Sequence, residues 1–112
     1  MGKFLRLLVG KWEGLEDLNE PVNIAKGYED FFDKERTYFV NLTADDLISY
    51  CAGLEKEQIR PLAQLLMYDG LLNSDNGLLQ NAKTLFEHHM QQTGSFSFED
   101  YGFLNEIKKH IR

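Results

Sequence analysis

The chain has 112 residues, 43% of them hydrophobic and 12% aromatic, with a formal net charge of −6. At that length one hydrophobic core forms rather than two, covering roughly two-thirds of the surface the unfolded chain exposes. The acidic balance argues against a nucleic-acid partner, because counterion release needs a basic face.

Compartment follows from similar reasoning. The single cysteine, Cys51, cannot close an internal disulfide, which points to a reducing, cytoplasmic setting. The leading apolar run is short, is broken by Arg6 and has no small-residue cleavage site, unlike a secretory leader. No stretch approaches the roughly 20 apolar residues of a membrane span.

Residues 3–13 read as an amphipathic helix, with Phe4, Leu8 and Trp12 on one stripe and Lys3, Arg6, Gly10 and Glu13 on the opposite face. So short a helix is not stable alone and must dock, on its own fold first, and otherwise on a partner subunit or a membrane surface. Residues 13–21 form a connection in which Asn19 caps the next helix and Pro21 occupies its first turn. That second helix is expected to run unbroken to Val40, with Ile24, Tyr28, Phe31, Tyr38 and Leu42 inward and Phe32 and Phe39 widening the face. A strand over Thr37–Val40 competes by propensity, but no second strand exists to pair with it.

Thr43, with acids in the turn behind it, starts a third helix whose stripe is Leu47, Ile48 and Cys51 and whose stop is Gly53. A fourth spans Glu57–Leu72. Pro61 is tolerable only in a first turn, so the regular part should begin after Arg60. Asn73–Gly77 has turn composition. The fifth helix shows clean periodicity over Leu78, Leu79, Ala82, Leu85, Phe86 and Met90, and closes at Gly94. Ser97 starts a sixth, with Tyr101, Leu104, Ile107 and Ile111 inward and Lys108, Lys109 and Arg112 set against the helix dipole. The fold class is therefore all-α, with about six helices in antiparallel hairpins.

Gly70, Ala82 and Phe86 carry a resemblance. Their spacing is similar to the small–small–aromatic signature of a tetratricopeptide repeat, a 34-residue helix–turn–helix. The resemblance implies a close hairpin over residues 57–93, in which Gly70 faces Ala82 and Phe86 fills the groove one turn on. It departs from the family at Asp69, where an apolar residue is usual, and at Asn73, His89 and Gly94; Leu66 stands in a frequent Trp position. One hairpin cannot cover its own apolar face, so flanking helices or a second copy must do so. Residues 1–53 would supply the N-terminal helices of a single domain, and 54–112 the hairpin with a capping helix. The layout also resembles small all-helical bacterial proteins.

Chemistry is sparse. His88 and His89 are adjacent and point about 100° apart on a helix. Glu106 and His110 have ligand spacing but sit beside Lys109 and Arg112, so no metal is expected. The loop opening at Asn73 has Leu78 and Thr84 where a calcium loop needs a glycine at position six and an acid at position twelve. Cys51 lies on an apolar stripe, and Glu29, Asp30, Asp33 and Glu35 read as a solvated face. Asn41–Thr43 matches a glycosylation acceptor by chance, because Thr43 already caps a helix.

With no cofactor motif and no catalytic set, the expectation is a non-enzymatic interaction module, able to form a homodimer. Its expected protein-binding residues are Phe4, Leu8, Trp12, Gly70, Ala82 and Phe86. The alternative is a small-molecule or cofactor binder with an aromatic-lined cavity built from Tyr28, Tyr38 and Tyr50 among Phe31, Phe32 and Phe39.

Overall fold

A computed structural model describes residues 2–13, 23–94 and 97–111, with side chains from residue 4 to 10 in the first helix. Asn19, Pro21 and the side chain of Trp12 lie outside the described residues. Seven helices appear among them and no strand: α1 (Gly2–Glu13), α2 (Ile24–Phe32), α3 (Arg36–Val40), α4 (Ala44–Cys51), α5 (Lys56–Asn73), α6 (Asn76–Thr93) and α7 (Phe98–His110).

The expected second helix is two. Asp33 takes the left-handed conformation (φ 57°), its N–H closes α2 on the Glu29 carbonyl, and α3 restarts at Arg36. An unbroken helix would hold Tyr28 and Phe39 about 16 Å apart along its axis. The break instead folds α3 back, so that the two rings stack at 4.9 Å and Phe32 meets the edge of Phe39 at 6.1 Å. Aromatic burial overrides helix continuity here. Residues Thr37–Val40, where a strand competed, are helical.

Local signals set the other ends. Asn23 accepts from the Lys26 N–H, Thr43 from Asp46 and Ser97 from Asp100. Gly94 closes α6 at φ 65°, donating its N–H to Met90. Two ends differ from expectation. Regular helix begins at Lys56, five residues before Pro61, because the proline withholds only the bond to the carbonyl of exposed Glu57, which water can replace. The turn between α5 and α6 shrinks to Ser74 (φ 52°) and Asp75, whose carboxylate accepts from Leu78 N–H.

α5 and α6 form the central antiparallel pair, with α1 packed on α5, α7 on both, and α3 and α4 on α6. Leu62, Leu65, Leu66, Leu78, Ala82, Leu85 and Phe86 are fully buried between these layers. A methyl group added at Gly70 would lie 2.8 Å from the Leu79 side chain and 3.1 Å from its backbone nitrogen, so the helices approach closely only because position 70 is glycine. On α7 the inward positions are Asp100, Leu104 and Ile107, whereas Tyr101 turns outward and is 48% exposed. The helix is rotated from its expected setting because Arg60 on α5 draws Asp100 inward, bonding it at 2.8 Å.

Candidate functional site

An acid within the run Leu65–Leu72 must find partners or stay out of the core. Asp69 is fully buried and finds four donors. Its Oδ2 accepts from the Tyr28 hydroxyl at 2.7 Å and from Arg36 Nε at 2.8 Å. Its Oδ1 accepts from Arg36 Nη2 at 2.9 Å and from Asn73 Nδ2 at 2.7 Å. The hub thereby ties α2, α3 and α5 together.

Each element sets one arm by its local geometry. Asn73 stands one turn beyond Asp69 on α5, and its amide also reaches the Asp69 carbonyl at 3.2 Å. Arg36 opens α3 just after the left-handed residue, which aims its side chain back toward α5. Tyr28 comes from the buried face of α2.

A carboxylate offers about four lone-pair sites, and all four are taken. Burial, then the Asp69 charge and its hydrogen bond, hold the Tyr28 phenol far above its ordinary range, so it stays a protonated donor. The hydrogen bond from Arg36 to Asp69 raises the guanidinium further into its charged form. This arrangement fastens three helices to one another.

A second polar junction joins α5 to α7. Arg60 bonds Asp100 through Nε and Glu99 through Nη2, and its guanidinium lies 5.7 Å from the centre of the Phe103 ring. Phe103 in turn stacks on buried Phe86 at 5.4 Å.

Other candidates are dispersed. Glu29, Asp30, Asp33 and Glu35 are all exposed. Burial pushes the Cys51 thiol up to about 11, keeping it protonated. His89 Nδ1 is buried without a hydrogen-bond partner among the described residues, while His110 Nδ1 lies 2.9 Å from the Glu106 carbonyl oxygen, within hydrogen-bond distance. Among the described residues no group of three or more His, Cys, Asp or Glu could hold a metal ion, and no helix is long and apolar enough to cross a membrane.

Of the residues singled out for binding, the five whose side chains are described do not share one exposed surface. Leu8, Ala82 and Phe86 are buried in the chain's own core, and Gly70 is buried against Leu79. Phe4 is half-buried, tilted on Phe31 at 5.7 Å. The aromatics proposed to line a cavity pack on one another: Tyr38 meets Phe39 at 5.4 Å and Tyr50 at 5.6 Å. Two clefts are seen among the described residues, the second of them against Phe31 and Phe32 of that aromatic set. One of about 170 Å³ is lined by Gly70, Leu71, Ser74, Asn76, Leu79 and His110; one of about 160 Å³ is lined by Phe31, Phe32, Glu57, Gln58 and Pro61.

The Asp69 hub is what sequence reasoning missed. The available signal was an acid inside the otherwise apolar run Leu65–Leu72, which appeared only as a departure from a repeat pattern. Comparison with known proteins finds no matching family model, no matching curated protein and no matching solved structure.

Proposed function

We propose that this chain is a non-catalytic helical scaffold that binds a protein partner, a second copy of itself being one form of partner. The α5–α6 pair would serve as its tetratricopeptide-like hairpin, and the unpaired Cys51 fits a reducing, cytoplasmic setting. The observation that carries this reading is Phe98, a large aromatic left 97% exposed at the start of α7, with Tyr101 48% exposed one turn on. Aromatic anchors of this type dominate interface energetics once a partner covers them. The buried polar groups at Asp69 and Asp100, by contrast, are spent on joining helices.

The small-molecule alternative has less support. Ordinary ligand sites occupy about 300–1,000 Å³, and the two clefts seen among the described residues, of about 170 and 160 Å³, fall below that range.

Light scattering across concentrations, on wild type and Phe98→Ser, tests the self-association form. Affinity capture with the same two proteins tests binding to another protein. Loss of association in Phe98→Ser with an unchanged melting temperature supports the reading. A chain that stays monomeric, captures nothing through Phe98 and gains stability from a metabolite would overturn it.

A further inference from the structure

The Asp69 hub divides the fold unevenly, and that division has a dynamic consequence. Tyr28 and Arg36 reach Asp69 from α2 and α3, across 41 and 33 residues of chain. Both helices are short, at nine and five residues, and the second has no side-chain cap. Neither is stable without its tertiary contacts. Between them lies Asp33 in the left-handed region, and beyond them the Leu42 carbonyl is fastened to α6 by Asn81 Nδ2 at 3.0 Å.

We propose that the Arg36–Asp69 pair is a latch, and that residues 24–42 open away from α5 and α6 as one unit pivoting at Leu42, uncovering the faces of Tyr28 and Phe39. The inference stands apart from any partner that the chain binds through Phe98.

Two physical arguments support it. If Arg36 left alone it would strand the buried Asp69 carboxylate without its cation, and if Tyr28 left alone it would strip that carboxylate of a buried donor, so each departure carries its own penalty while the other arm stays. The two helices must therefore release together. When they do, Arg36 and Asp69 both regain water, which offsets much of the lost attraction. An apolar contact of the same size would receive no such compensation. The latch thus makes opening all-or-none and cheaper than unfolding the α5–α6 pair, the pattern of a local cooperative unit. Contacts from Phe4 to Phe31 and from Tyr50 to the Phe32 carbonyl (3.3 Å) resist opening at the rim, where both are only part-buried.

Native-state hydrogen exchange on the full chain, followed by mass spectrometry through a series of low denaturant concentrations, tests this. Amides across α2 and α3 should share one opening, at least tenfold more frequent than that of α5 and α6, with a smaller dependence on denaturant. Asp69→Asn should raise that opening at least tenfold further while α5 and α6 keep their rates. If Asp69→Asn does not fold, the wild-type series alone decides. A common denaturant slope for all helices, separate slopes for α2 and α3, or a uniform acceleration in Asp69→Asn would each overturn the latch.

Discussion

The ring of Phe4 on α1 occupies the space that a side chain at Gly27 on α2 would need. A β-carbon placed at position 27 would overlap two atoms of that ring and press tightly on a third. Phe4 also tilts against Phe31 one turn along the same helix. The leading helix is thus seated by the absence of a side chain, and with Leu8 fully buried it docks on its own fold. Gly27→Ala should destabilise the protein by about 1–3 kcal/mol through overpacking, despite alanine's better helix propensity. Urea denaturation gives the number, and an unchanged midpoint would mean that α1 repositions freely.

Two other helical glycines separate packing from propensity. At Gly70 an added methyl meets Leu79, including its backbone nitrogen, which cannot swing aside. At Gly102 it meets nothing within 4 Å. Gly70→Ala is expected to lower stability by about 1–3 kcal/mol, and Gly102→Ala to raise it by about 0.5–1 kcal/mol. Paired melting curves check the opposite signs. Equal effects would show that the α5–α6 approach is not limited by position 70.

The Asp69 hub predicts an ordering of variants. Tyr28→Phe removes one of four donors and should cost about 1–3 kcal/mol. Arg36→Met leaves a buried carboxylate short of its cation and should cost about 3–5 kcal/mol. Combining Arg36→Met with Asp69→Leu should recover much of that loss, because no buried charge then remains. Chemical denaturation of the three variants measures the order. A double variant worse than Arg36→Met alone would contradict it.

Alkaline pH should weaken the fold from about pH 9. Burial holds the Cys51 thiol up to about 11 against an ordinary 9.0, and burial with the Asp69 charge raises the Tyr28 phenol above its ordinary 10.0. Between those values the unfolded chain releases protons that the folded chain keeps. Stability is therefore full below pH 9 and falls as pH rises through 9 to 11, with Tyr28 adding to the fall above 10. Cys51→Ala should flatten the melting-temperature profile between pH 9 and 10, and Tyr28→Phe should flatten it above 10. Parallel profiles in all three proteins would refute the assignment.

The amino-acid sequence alone determined the all-helical class and most helix ends. Thr43, Ser97 and Gly94 act within four residues of themselves, so their roles are readable from neighbours in the chain. The apolar spacing over Leu78–Met90 likewise marks the buried face of α6. The break at Asp33 was not legible, because the stacking of Tyr28 on Phe39 that it permits arises only after the chain folds back. Nor was the outward turn of Tyr101, which follows from the bond between Arg60 and Asp100, forty residues apart. Two of the three partners of Asp69, Tyr28 and Arg36, are equally remote. Caps and periodicity are local and leave a signature in short windows, whereas a buried charge takes its role from whichever side chains tertiary packing brings within 3 Å of it.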